Sequence, residues 1–324
     1  MKRMLTDPRP RAFSGSRTGH MLLGLRCLAV AWLAATLGAA PAHALDVALV
    51  LSNGGGVYSL FAEAMQATRP DAGYSITAAG NVEDGVDGRV LESADLILAA
   101  GAPAAEAALS RSRTPVYAVL IGQKVFQDLR LRYPDAKLSA VLLDQPLERQ
   151  LALMRAVLPE AQRVGVLLGP DTGALRGRLE NAAAAAGLRL AAWPVSTQAE
   201  ILPALERALD ASDALLALPD PLAAGPGAAR TILLTSYRYR RPVFAYSRAY
   251  VEAGALAAVF STPGDVAREV ADWLRGTRGG VRLPPPRPAR HFDVALNRQV
   301  ARALHLDLPD EATVLARLRE REQP

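Results

Sequence analysis

From Leu45 onward the sequence predicts an α/β protein of two Rossmann-like lobes, each built on a parallel sheet. Two observations carry this. Short uninterrupted apolar runs alternate with stretches of helical periodicity. Such runs suit strands covered on both faces, and the alternation implies βα units. The same series of segments also occurs twice. Val47-Ala48-Leu49-Val50-Leu51 resembles Val164-Gly165-Val166-Leu167-Leu168, and Ala72-Gly73-Tyr74-Ser75-Ile76 resembles Ala186-Gly187-Leu188-Arg189-Leu190. Asp95-Leu96-Ile97-Leu98-Ala99 resembles Asp213-Ala214-Leu215-Leu216-Ala217, and Pro115-Val116-Tyr117-Ala118 resembles Pro242-Val243-Phe244-Ala245. The offsets are 117, 114, 118 and 127 residues, in one order throughout. A repeated supersecondary unit explains this better than chance similarity of apolar runs. The length of 324 residues agrees, at about 150 residues per domain.

Between the runs, residues 57–68 place Leu60, Ala64 and Ala67 along one helical face. Residues 146–158 form an amphipathic helix leading into the second unit. Residues 175–186 are Ala-rich and end at Gly187, a C-cap, and residues 201–209 give a further helix. Residues 265–274 form another helix, closed by Gly276, and the Pro/Gly/Arg stretch 279–288 is a linker. Residues 291–296 read as a last strand and 298–304 as a last helix. The charged tail, 317–324, is expected to fray. The first lobe is accordingly expected at 45–144 plus 258–289 and the second at 145–257. Residues 290–324 are left unassigned between them. Open α/β sheets bind ligands beyond the carboxyl ends of their strands, so two facing sheets create one cleft with two walls.

The first 44 residues differ from the rest. A polar, basic stretch precedes the apolar run 27–40, which ends in Pro41-Ala42-His43-Ala44. This is the pattern of a signal peptide cut after Ala44. The run is shorter than the ~18 apolar residues of a spanning helix, and Arg26 interrupts its extension. Translation from Met21 in place of Met1 would retain the pattern. Of 37 basic and 32 acidic side chains, six and one fall in residues 1–44, which leaves 31 of each from Leu45. The high pI therefore belongs to the leader, and the remainder carries no electrostatic footprint for nucleic acid. Cys27, the one cysteine, leaves with the leader, which removes disulfide, thiolate and cysteine-metal chemistry.

Candidate binding residues follow from position at strand ends. Ser52, Asn53 and Gly54 open a glycine-rich loop after the first strand, where backbone can approach a ligand closely; a flexible turn is the alternative. Gly101, Ala102 and Ala104 begin a helix, whose free amides and dipole favour a carboxylate; a plain tight turn is the alternative. Gln123 follows the next strand. In the second lobe Asp171 and Thr172 follow one strand, and Asp220, before Pro221, follows another. A carboxylate at Asp220 suits a ligand's ammonium group, and a turn-forming Asp is the alternative. Tyr246, Ser247 and Phe260 complete the wall, the aromatics suiting a flat ligand or ordinary packing. The expected ligand is a small zwitterion or carboxylate with an apolar or flat side group. Tyr237-Arg238-Tyr239-Arg240-Arg241 reads as a solvated helix end. From Leu45 onward the histidines are His291 and His305, neither at metal-site spacing. With no G-x-S-x-G, H-E-x-x-H or P-loop, the chain reads as a binder with no catalytic residues and no cofactor. An interaction or assembly factor on the same fold is the alternative, and an enzyme the third.

Several stretches also carry a family resemblance: residues 95–105 (DLILAAGAPAA), the helix from 151 into Arg163-Val164-Gly165-Val166-Leu167, Pro242-Val243-Phe244-Ala245, residues 250–257 (YVEAGALA) and residues 291–297 (HFDVALN). Together they resemble the ABC-transporter substrate-binding family that includes periplasmic receptors for aromatic amino acids. The resemblance implies a type I periplasmic-binding-protein fold with three hinge crossings. It further implies a periplasmic monomer that binds a small ligand, an amino acid or related carboxylate, and works with an ABC permease in the inner membrane. The sequence departs from that family in its short connection over residues 80–94, in Ser52-Asn53-Gly54-Gly55-Gly56, and in Ala102, where the family has a hydroxyl residue.

Overall fold

The computed structural model describes residues 44–68, 73–277 and 280–322. The expected leader, apart from Ala44, lies outside the described residues. Two mostly parallel sheets organise the rest. The first contains β1 (Leu45–Leu51), β2 (Tyr74–Asn81), β3 (Gly85–Val86), β4 (Leu96–Ala100), β5 (Val116–Ile121), β6 (Leu138–Leu142) and β12 (Arg287–Pro288), in the order β12-β6-β5-β4-β1-β2-β3. The second contains β7 (Arg163–Leu168), β8 (Arg189–Pro194), β9 (Ala214–Leu216), β10 (Val243–Ala245), β11 (Ala257–Phe260) and β13 (Asp293–Leu296), in the order β13-β11-β10-β9-β7-β8. β3 pairs antiparallel with β2, and β13 antiparallel with β11.

The sequence repeat is a structural repeat in register. Val47 pairs with Leu96 and Ile76 in the first sheet, and its counterpart Val164 with Ala214 and Leu190 in the second. Ile97 opposite Val116 corresponds to Leu215 opposite Val243. Both sheets bury both faces, which is why their strands are continuous apolar runs. On the first sheet, α1 (Gly56–Ala67) and α10 (Pro263–Gly276) cover one face through Phe61, Met65, Val266 and Val270. The other face takes α2 (Gly88–Ser93), α3 (Ala102–Arg111) and α4 (Gln123–Arg132), with Leu91, Ala108 and Phe126 buried. The short connection 80–94 thus holds the β3 hairpin and the six-residue helix α2.

On the second sheet, α5 (Leu147–Val157) and α6 (Arg176–Ala185) cover one face together with α11 (Arg298–Ala303) and α12 (Glu311–Glu322). The other face is covered by α7 (Gln198–Ala211), α8 (Pro226–Arg238) and α9 (Arg248–Glu252). The helix α8 ends at Arg238 and the strand resumes at Val243, so the Tyr/Arg stretch is a helix end as its sequence suggests.

The chain passes between the sheets at residues 143–146, 261–262 and 289–292. Residues 258–260, grouped with the first lobe from the sequence, belong to the second sheet, because β11 pairs with both β10 and β13. The chain then returns to the first sheet through α10. Thr262 starts that helix with a capping box, exchanging bonds with Asp265, and Pro263 occupies a first-turn position whose N–H would be idle. The charged tail also departs from expectation. Residues 317–322 continue α12, which buries Val314 and Leu318 against the second core. No helix among the described residues is long and apolar enough to cross a membrane.

Phe61 on α1 is fully buried, whereas its neighbour Leu60 is 54% exposed. Phe61→Ala is expected to cost about 3–5 kcal/mol and Leu60→Ala under about 0.5 kcal/mol. Urea denaturation of the two variants checks which face of α1 carries the fold.

Candidate functional site

Numbered along the chain, the parallel strands run 2-1-3-4-5-6 in the first sheet and 2-1-3-4-5 in the second, so each has a switch point, β1/β4 in the first and β7/β9 in the second. The sequence candidates fall on the carboxyl side of these points. In the first lobe Ser52 is buried; its hydroxyl donates to the Ala100 carbonyl (2.8 Å) and accepts from the Ala104 amide (3.3 Å). The next helical position back is Pro103, which has no N–H. Of the α3 amides expected to receive a ligand carboxylate, that of Ala104 is therefore taken by Ser52. Gly101 has φ 95°, and a Cβ there would collide with Ser52 Oγ and the Tyr58 ring. Close approach and the positive φ together require glycine. Tyr58, unmarked in the sequence, covers this turn.

Asn53 turns its own loop, Oδ1 accepting from the Gly55 amide at 3.0 Å, and Gly54 lies against Asn81. Gln123 begins α4, where its backbone N–H donates to Asp144. Asp144, not singled out in the sequence, stands just after β6 on the carboxyl side of the first sheet. Burial raises its carboxyl above the usual carboxylate range, against the lowering effect of that amide.

In the second lobe Asp171, Thr172 and Asp220 come together. Asp220 is 2% exposed. One carboxylate oxygen accepts from the amides of Asp171 and Thr172 (both 3.1 Å) and from Thr172 Oγ1 (2.9 Å). The other accepts from the amides of Leu222 (3.0 Å) and Ala223 (2.9 Å). Five donors saturate the group, and a Cβ at Gly169 would strike it. Asp220 therefore fixes two loops to each other, and its charge is already compensated by its own chain. The exposed carboxylate beside it is Asp171. The hydrogen bond from Lys124 on α4 to Asp128 raises the pKa of the lysine, with a smaller contribution from the charge of Asp171.

Tyr246 donates to the Ala224 carbonyl (3.2 Å) and meets Tyr250 edge to face at 5.6 Å. Ser247 caps α9 by accepting from the Tyr250 amide. Phe260 is buried at the end of β11 with the Arg248 guanidinium 5.1 Å above its ring. The wall candidates thus group at Ser52 with Gly101–Ala104, at Gln123 with Asp144, and at Asp171 with Asp220. The Tyr246–Phe260 set packs mainly into its own lobe. Among the described residues no group of three or more His, Cys, Asp or Glu side chains is placed to hold a metal.

Residues 79–319, most of the chain, match the family of ABC transporter substrate binding proteins. The protein belongs to the ABC transporter substrate-binding protein family. No curated protein matches the chain in sequence. Solved structures share the fold of this substrate-binding protein across nearly its whole described length. The ABC domain from Streptococcus pneumonia in complex with L-Trp is 19% identical, covering 84% of this chain and 98% of that one, with TM-score 0.53. A conserved domain protein from Vibrio cholerae O1 biovar eltor is 21% identical (85% and 98% covered, TM-score 0.52). The ligand-free, open structure of CD0873, a substrate binding protein with adhesive properties from Clostridium difficile, is 15% identical (82% and 96% covered, TM-score 0.62). The fold is that of type I periplasmic binding proteins, as the sequence resemblance implied.

The raised pKa of Asp144 has a consequence for stability. Charging a group whose folded-state pKa is raised opposes folding. Its stabilising contribution is complete below 3.8, the ordinary value, and is lost as pH rises through the raised one. Asp144→Asn is expected to leave stability unchanged in acid and to increase it at neutral pH. Urea midpoints measured across that range test this, and parallel pH profiles for the two proteins contradict it.

Proposed function

We propose that the protein is an exported solute receptor: cleaved after Ala44, periplasmic and monomeric, it closes its two lobes on one small ligand and presents it to an inner-membrane ABC permease without catalysis. The observation that carries this reading is the pair of switch points, one per lobe, each with strand-end candidates on its carboxyl side. Family membership supports it, and so does the fold shared with an L-Trp-bound structure.

The ligand class remains an amino acid or related carboxylate, with its polar contacts redistributed. The Ala104 amide is held by Ser52 and Asp220 is saturated, so neither meets the ligand without breaking a bond of the fold. Asp171 takes the ammonium group instead. The side chains of Gln123 and Lys124, exposed at the start of α4, take the carboxylate. Tyr58 and Tyr246 flank an apolar or flat group. Water leaving on closure strengthens each charged contact.

The experiment is a thermal-shift screen of the purified protein with amino acids, L-tryptophan included, and with their decarboxylated and amidated analogues, followed by calorimetry. A charge-assisted bond is worth about 1.5–3 kcal/mol. Asp171→Asn is therefore expected to weaken an aminated ligand about ten- to a hundredfold, at about 1.4 kcal/mol per decade, with little change in unfolding. Asp220→Asn is expected to lower stability by about 3 kcal/mol, because an amide nitrogen then faces backbone donors. Equal binding to wild type and Asp171→Asn would remove Asp171 from the site. No stabilisation by any compound would overturn the receptor reading in favour of an assembly factor on this fold.

A further inference from the structure

The three segments that cross between the sheets are joined by a hydrogen-bond network around one buried guanidinium. Arg149, on α5, is 6% exposed. Its Nε and Nη2 donate to the two carboxylate oxygens of Glu322 at 2.5 and 2.7 Å, a bidentate pair with the last turn of α12. Both helices pack on the second sheet, so this pair is internal to lobe two. The remaining nitrogen, Nη1, reaches out to the crossings. It donates to Gln145 Oε1 in the first crossing (2.6 Å) and to the Ala289 carbonyl in the third (3.2 Å). Gln145 Nε2 donates onward to Ser261 Oγ in the second crossing (3.0 Å), and Ser261 Oγ donates to the His291 carbonyl in the third (2.9 Å). The Phe292 ring lies 3.9 Å under the guanidinium.

The third crossing is equally anchored to lobe one. Glu269 on α10 is fully buried; it accepts from Arg287 Nη2 (2.7 Å), Arg290 Nε (3.1 Å) and the Arg290 amide (3.2 Å). His291 Nε2 lies 3.0 Å from Asp272 on the same helix. Residues 287–292 are therefore tied to lobe one by α10 carboxylates and to lobe two by Arg149. Lobe rotation requires torsional change in all three crossings. The bonds among Arg149, Gln145, Ser261 and the third-crossing carbonyls couple those changes, so the crossings turn as one pivot. Glu322 keeps Arg149 in place, because a guanidinium this buried needs its counter-ion.

We infer that Arg149 and Glu322 are positioning residues for lobe closure, with the C-terminal helix α12 supplying the counter-ion that fixes the pivot of the three crossings. The importance of this pivot for binding rests on the two-lobe receptor reading. The test below needs no ligand, so its failure leaves that reading standing.

Nitroxide labels at Leu131→Cys on α4 and Leu202→Cys on α7, both exposed, report the distance between the lobes in full-length protein carrying Cys27→Ser. Electron–electron double resonance then gives the distance distribution without ligand. Glu322→Gln is expected to add a second population or shift the main one. Gln145→Ala cuts the link between crossings and leaves the Arg149–Glu322 pair intact; it is expected to do the same, and it decides the matter if Glu322→Gln fails to fold. Leu318→Ala weakens the docking of α12 without touching the pair. It is expected to lower the unfolding midpoint and leave the distribution unchanged. Unaltered distributions in Gln145→Ala and in any folded Glu322→Gln overturn the inference. So does a distribution in Leu318→Ala that changes as it does in Glu322→Gln, since the pair would then serve only to hold the helix down.

Discussion

Strands buried on both faces end by leaving backbone amides and carbonyls at the switch points, where no further strand is present to pair with them. Buried groups of this kind must be hydrogen-bonded. Here one side chain per lobe meets that requirement: Ser52 bridges β1 to the start of α3, and Asp220 bridges the loops after β7 and β9. The rest of each cleft wall depends on these bridges. Ser52 and Tyr58 hold Gly101 in a conformation that admits no side chain, and Asp220 does the same for the approach of Gly169. Both turns are thereby held by bonds of the fold itself, and those bonds take up the Ala104 amide.

The second requirement is that buried charges be paired. Glu269, Arg149 and Asp220 are each nearly or fully inaccessible and each has its compensation within the chain. Glu269 and Arg149 lie beside the crossings. Each lobe is stabilised by its own apolar clusters, one on each face of its sheet, while the connection between the lobes is largely polar. A polar connection suits motion, because its bonds are directional and few, whereas a shared apolar core would resist rotation over its whole area.

The fold was legible because the apolar runs are long and recur, and even the strand register follows from the repeat. Val47 and Val164 occupy equivalent rungs, and so do their neighbours. What escaped was set by tertiary packing. Helix α12 offers Val314 and Leu318 among arginines and glutamates, too few apolar positions to separate it from a solvated tail. Residues 258–260 look like the start of the return to lobe one, and their place in the second sheet is decided by pairing with β13, which lies more than thirty residues further along. In the site, position was legible and valence was not. Ser52, Gly101, Asp171 and Asp220 all lie at strand ends, as expected. Yet both bonds of Ser52 and three of the five at Asp220 join residues 48 to 52 apart in sequence. The reading of Asp220 as a turn-forming residue before Pro221 comes nearer to the geometry than the reading as an ammonium partner.

That distinction between position and valence also orders the remaining polar groups of the cleft. A ligand competes for a group at the cost of whatever that group already binds. For Asp220 the competing bonds are five and buried, where each is worth more than in water. For Asp171 the carboxylate is exposed, and Lys124, proposed to share the ligand with it, is held by Asp128 at 2.6 Å. Exposed pairs of this kind are weak and screened by salt, so they yield to a better-placed ligand charge. On the proposed receptor reading, closure would expel water and strengthen the contacts of Asp171 and Lys124 with a zwitterion between them, while the saturated bonds of Ser52 and Asp220 would stay as they were. On that reading the free-energy difference between open and closed states would be concentrated in exposed charges at the strand ends, with the buried network beneath them as a fixed frame.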